Sequence, residues 1–389
     1  MPTIPRRYSV GNIWAALLAL TAPTLSAAND PFLDALYSVT VTSDILYTSA
    51  AVQSPAPGTK DLHLDLYEPS GAGVPALKPG FVFLHGGGFN SGTKTNSPMV
   101  DLATEYAERG YVAISIDYRL TDDDPPTPGE DYLERVINAV VEDTVSALTW
   151  LRANAATYGV DPDRIAVGGY SAGAIAAMYT AYRELGPDAE VQAVMCLAGA
   201  LYGDESIIDA GDPPVVMIHG TTDTDVEHFY AVDIETAALA VPITCDFYSL
   251  TGIGHGIPAQ LDQWTENGVT LDIIMHEFFF NQLNLLALSD PQSTVHVDFN
   301  NDGLETGSVA RPYNALNEAL GVLEYPGTVQ INGTSPAVTT TETFSGAGML
   351  TQPLTLQVAP VGLSPVQIGA PSARQSPPKN QAGFVSREN

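Results

Sequence analysis

Six short and nearly continuous apolar runs, at residues 81–84, 111–116, 165–167, 191–197, 215–218 and 243–250, alternate with stretches of helical periodicity. Runs apolar at every position suit strands buried on both faces, which is how parallel strands lie in a sheet covered by helices. The clearest helical stretch places Leu133, Val136, Ile137, Val140, Val141, Leu148 and Leu151 on one face at 3.6-residue spacing. Further helices are expected over 99–108, 172–184, 226–240 and 271–288. Two earlier segments, 39–47 and the alternating 61–67, have the pattern of half-exposed edge strands. Together they predict an α/β fold with a mostly parallel eight-stranded sheet flanked by helices.

In such sheets the chemistry collects in loops at the carboxyl ends of the strands. The loops after four of the runs bear this out in sequence: His85-Gly86-Gly87-Gly88-Phe89, Gly168-Gly169-Tyr170-Ser171-Ala172-Gly173, His219-Gly220-Thr221-Thr222-Asp223 and Gly252-Ile253-Gly254-His255-Gly256. Gly-x-Ser-x-Gly alone is also ordinary turn punctuation. A serine needs a base to take its proton, and a histidine base needs a carboxylate to fix its tautomer. The order Ser171, Asp223, His255 is that of the α/β-hydrolase scaffold. Asp225 follows the same strand and is the alternative acid. Glycines let the backbone approach a developing oxyanion closely, and a residue opening a helix has a backbone N–H to spare. His85 and His219 are read as shaping their turns, and His276, in an aromatic helical stretch, as a packing or surface residue.

The segments FVFLHGGGF, DYRL, YGVDPDRIAVGGYSAG, VVMIHGTTDTDV and GIGHG lie between residues 39 and 289. Over that span the chain resembles α/β-hydrolase esterases and lipases of the HGGG class, including hormone-sensitive-lipase-like and type-B carboxylesterase-like enzymes. The resemblance implies Ser171 as nucleophile, Asp223 as acid and His255 as base, with oxyanion N–H groups from Gly87, Gly88 and Ala172. It implies no cofactor and no metal. One departure is Tyr170, which precedes the serine where many relatives carry an acidic residue.

A net charge of −30 over 389 residues argues against nucleic acid and anionic membranes as partners. Residues 1–28 read as a cleaved signal peptide: Arg6 and Arg7, an apolar stretch too short to span a bilayer, then Ser26-Ala27-Ala28. No other run is long and apolar enough to cross a membrane, so a secreted, soluble product is expected. Cys196 and Cys245, both in expected strands, are read as unpaired. The catalytic unit is expected over 29–289 and a β-rich region over 290–370, with 371–389 having the composition of a disordered tail. The β-rich region resembles the opening coils of a right-handed parallel β-helix, with a short capping helix over 311–320. Its Asp298–Gly303 run imitates the start of a calcium loop, but Val309 stands where the bidentate Glu should be.

Only residues 198–214 separate the expected sixth and seventh strands, too few for a helical cap. An open site follows, rimmed by Leu201, Tyr202 and the 120–132 loop, and suited to short acyl groups or accessible ester groups of a polymer. The expected function is a serine hydrolase of carboxylic esters acting through an acyl-enzyme. A serine peptidase of prolyl-oligopeptidase type and a non-catalytic binding or adhesion protein on the same scaffold are the alternatives.

Overall fold

A computed structural model of the chain describes residues 30–54, 56–123 and 131–288, together with six strand segments between 292 and 386. The leader at 1–28, the calcium-loop-like run, the 311–320 helix and part of the 120–132 rim lie outside the described residues.

Eight strands form one sheet: β1 Ser38–Val52, β2 Gly58–Ser70, β3 Lys78–Leu84, β4 Val112–Ile116, β5 Val160–Tyr170, β6 Ala193–Leu197, β7 Val215–Gly220 and β8 Cys245–Leu250. Their spatial order is β1-β2-β4-β3-β5-β6-β7-β8. β1 pairs antiparallel with β2, β2 pairs antiparallel with β4, and every later pairing is parallel.

Period-2 alternation explains why the central runs are apolar throughout. Val82 and Leu84 of β3 join one core and Phe81 and Phe83 the other; Val215 and Met217 of β7 split from Val216 and Ile218 in the same way. The first core is closed by α2 (Tyr132–Ala153), α4 (Ala172–Tyr182) and α5 (Phe229–Ala240). The second is closed by α1 (Ser97–Glu108) and α6 (Leu271–Gln282), where Phe81 lies 4.8 Å from both Tyr106 and Phe279. A four-residue helix, α3 (Ala155–Tyr158), follows α2. Burying each such ring contributes roughly 1.5–3 kcal/mol.

Four expectations change. β8 is an edge strand of mostly half-exposed residues: Cys245 and Phe247 pack partly against one core and Tyr248 and Leu250 against the other, so the run at 243–250 is incompletely rather than fully buried. The helix expected to run to 288 stops at Gln282, because Asn284 takes a left-handed φ of 49°; a 3-10 turn, Leu285–Leu288, follows. The helix expected from 226 starts at Phe229, after a run of turns over 224–228. Leu201 is fully buried in the core rather than on a rim.

Cys196 and Cys245 are both free. They lie on strands flanking β7, so two inter-strand spacings, roughly 9–10 Å, separate their backbones, beyond the reach of a disulfide.

In the C-terminal region Gln292–Val297, Leu323–Ile331 and Leu354–Val358 pair in parallel, with Thr328 opposite Thr355 and Ile331 opposite Val358. Within the 371–389 segment the described residues are the strand Phe384–Ser386, paired with Gln367–Gly369 and Thr341–Glu342. Its Phe-Val pair is the apolar, β-favouring part of an otherwise polar stretch.

Candidate active site

β5 delivers Ser171 onto a sharp turn into α4. Ser171 has φ 57° and ψ −122°, a conformation L-residues avoid, and its N–H donates to Leu197 O at 2.8 Å. The turn is tight because Gly173 lies against the end of β3: a β-carbon there would sit 2.1 Å from Leu84 O. Ala172 opens α4, so its backbone N–H has no intrahelical acceptor.

β7 and β8 carry the partners. His255 Nε2 lies 2.8 Å from Ser171 Oγ, and His255 Nδ1 lies 2.7 Å from Asp223 Oδ2. A carboxylate can only accept, so Nδ1 carries the proton and Nε2 is left to receive one from the serine. The other oxygen, Asp223 Oδ1, accepts from the N–H groups of Asp225 (2.9 Å) and Val226 (3.1 Å). Asp223 is buried, whereas Asp225 is exposed and makes no contact with the imidazole among the described residues. Of the two aspartates, the structure brings Asp223 to the histidine.

The glycine loop folds back beside the serine. Gly87 has φ +128°, and its carbonyl accepts from the N–H of Asn90 (3.0 Å) and Ser91 (3.2 Å). A β-carbon on Gly87 would fall 2.0 Å from Ser91 O, so no other residue fits. Gly88 and Phe89 continue in left-handed conformations, with φ of 60° and 61°. Gly87, Gly88, Ser171, Ala172 and His255 line a common cleft of about 430 Å³, together with Tyr202, Tyr132 and Ile175. A larger concavity of about 980 Å³ between the end of α4 and residues 207–214 holds none of the catalytic candidates.

The two histidines read as turn-shapers act that way. Buried His85 stacks on Tyr118 (4.1 Å) and donates from Nδ1 to Gly86 O at 2.7 Å, while Tyr118 Oη donates to His85 O at 2.6 Å. Buried His219 donates from Nε2 to Val226 O at 2.8 Å, closing the Asp223 turn. Desolvation holds both imidazoles below the usual histidine range, hence neutral. His276 is buried against Glu105, with Nε2 2.8 Å from Oε1.

Several supporting groups escaped the sequence reading. Tyr170 Oη donates to the His255 carbonyl at 2.8 Å. Thr121 donates through N and Oγ1 to Phe89 O, and Tyr132 Oη reaches Asn90 Oδ1 at 3.0 Å, tying the glycine loop to the start of α2. In the DYRL segment, Asp117 accepts from Lys94 N, and buried Arg119 pairs with buried Asp143 of α2 at 2.9 Å. Asp123, expected in a solvated loop, accepts from Lys60 Nζ at 2.6 Å. No group of His, Cys, Asp and Glu suited to a metal occurs among the described residues.

The family described as BD-FAE matches residues 64–194, and the phospholipase/carboxylesterase family matches residues 131–264. Carboxylesterase NlhH of Mycobacterium tuberculosis is 36% identical over 96 residues, 24% of this chain and 26% of its own length. Lipase 1 of Geotrichum candidum is 32% identical over 116 residues, 29% of this chain and 21% of its own length. The chain spans about a quarter of the length of these curated relatives. Among solved structures, the propionate-bound esterase Est2 of Thermogutta terrifontis aligns at 22% identity with a TM-score of 0.49, covering 64% of this chain and 96% of that one. Sheet order and both family matches agree: the chain has the α/β-hydrolase fold.

Proposed function

We propose that the chain is an exported hydrolase of carboxylic esters. The observation that carries this reading is the unbroken relay from Ser171 Oγ through His255 to Asp223, with both bonds under 3 Å. In the proposed reaction His255 Nε2 takes the serine proton as Oγ attacks the ester carbonyl carbon. The carbonyl oxygen becomes an oxyanion facing the N–H groups of Gly87, Gly88 and Ala172, and Asp223 stabilises the imidazolium. The imidazolium then protonates the departing alcohol, leaving an acyl group on Ser171. Water, deprotonated by the same imidazole, attacks that acyl carbon and releases the acid.

The names of the relatives, a carboxylesterase and a lipase, support an ester rather than an amide as substrate. The modest cleft and the 198–214 connection, which carries a single 3-10 turn at Glu205–Ile207, support short acyl groups or accessible esters on a polymer. Export is supported by the charged, apolar and small-residue pattern of residues 1–28.

A fluorophosphonate probe tests the mechanism. Covalent labelling that maps to Ser171, with turnover of p-nitrophenyl butyrate but not of aminoacyl-proline amides, is the expected result. A folded protein that neither labels nor turns over ester refutes it. A mature N-terminus near residue 29 after expression in an exporting host tests the leader.

A further inference from the structure

Among the described side chains that line the cleft, Asp225 is the one carboxylate, and no Lys or Arg joins it there. The relay does not use it. Its place is nonetheless fixed, because its N–H donates to Asp223 Oδ1 at 2.9 Å and the next N–H donates to the same oxygen at 3.1 Å. The turn that orients the buried carboxylate therefore also holds an exposed one at the cleft. Among the described residues no Lys or Arg forms an ion pair with Asp225. Burial, and after it the charges of Asp223 and Asp225, pushes the Tyr170 phenol on the cleft wall up to about 12.

We propose that Asp225 is a charge filter for this site: the cleft favours ester substrates that carry a cationic group and disfavours those that carry a carboxylate. This rests on the reading of Ser171 as an esterase nucleophile and adds the substrate's charge class to it. A cation within several ångströms of an exposed carboxylate gains, and an anion loses, enough for a preference of about threefold each way, weakening as salt screens it. The chain's overall charge of −30 pushes in the same direction. Asp225→Asn removes only one of those charges, so it separates a local effect from the global field.

The test uses three acetate esters of similar size: acetylcholine, its neutral isostere 3,3-dimethylbutyl acetate, and 4-acetoxybutanoate. Hydrolysis is followed by proton release at low ionic strength. The wild type should rank them cationic, neutral, anionic in kcat/KM, with about a tenfold or greater span between the ends. In Asp225→Asn the span should collapse by about threefold or more, and in Asp225→Lys the order should reverse. Each readout is a ratio within one variant, so a general loss of activity does not obscure it. An unchanged span in Asp225→Asn, or no ranking in the wild type, overturns the proposal while leaving ester hydrolysis intact. Failure of folded wild-type protein to cleave even the neutral ester would instead remove the esterase reading, and this proposal with it. Should Asp225→Lys not fold, Asp225→Asn and Asp225→Ser carry the test through the same ratios: a collapsed span in both supports the filter, and an unchanged span in both overturns it.

Discussion

Tyr170 Oη donates a 2.8 Å hydrogen bond to the backbone carbonyl of His255, joining the end of β5 to the loop after β8. The ring also lies 5.1 Å from the imidazole, tilted by 37°. The residue before the serine thus grips the backbone of the histidine that faces that serine. Tyr170→Phe keeps the ring and removes only the donor. Since a hydrogen bond of this kind is worth about 1 kcal/mol net, kcat should fall about fivefold with KM nearly constant. Steady-state kinetics on p-nitrophenyl acetate would show the split; a change confined to KM would contradict a positioning role.

Ser171 stores backbone strain at φ 57° and ψ −122°. Glycine tolerates that region and alanine does not. Both Ser171→Ala and Ser171→Gly should abolish ester turnover, but the glycine variant should be more stable than the alanine variant by about 1 kcal/mol. Urea melts of the two inactive proteins, compared side by side, check the order. Equal midpoints would mean that the turn relaxes without its side chain.

Gly173 touches backbone rather than flexible side chains. An added β-carbon would meet Leu84 O at 2.1 Å and His85 O at 2.6 Å. Gly173→Ala must therefore push α4 away from the end of β3, at a cost of about 3 kcal/mol or more. The soluble yield and melting temperature of this variant should drop sharply. A melting temperature within a degree or two of wild type would show that α4 can shift freely.

Three imidazoles, His85, His219 and His276, are buried with their pKa values lowered from 6.5, chiefly by desolvation. In the unfolded chain they take protons below about 6.5, while in the folded chain they resist until lower pH. Within that window the unfolded state binds more protons, so stability falls as pH falls. Glu105, lowered by its contacts with His276 against the effect of burial, adds loss further down, below its unfolded value of 4.5. Thermal melts from pH 7.5 to 5 should show a declining melting temperature, offset in part by the Asp143 carboxyl, which burial pushes up to about 6 so that the folded state takes a proton there. His276→Gln should flatten part of that slope, and a slope identical to wild type would count against its buried, neutral state.

Much of this was legible in residue order because buried parallel strands leave a simple trace. Phe81, Val82, Phe83 and Leu84 alternate between two cores, so no position can be polar, and the run stands out. The four chemical loops then fall at strand ends by topology. What the chain order hides are contacts made by single polar atoms across long separations. Asp143 interrupts the apolar stripe of α2 and reads as a flaw until Arg119 is found against it. The hydroxyl of Tyr170 has no sequence partner to announce it. Leu201 and Tyr202 are adjacent, yet one is buried in the core and the other lines the cleft, because Tyr202 takes a φ of 52° that turns the chain outward.

β8 is hydrogen-bonded on one side only, to β7, and its residues are half-exposed. The loop bearing His255 hangs from this strand, whereas Ser171 hangs from β5 in the middle of the sheet. Amide protons along Cys245–Leu250 should accordingly exchange with solvent sooner than those along Val160–Tyr170, through openings that leave most of the sheet intact. In such a partly opened molecule the serine turn persists without its base. The relay therefore comes apart at a lower cost than the centre of the sheet that holds the serine.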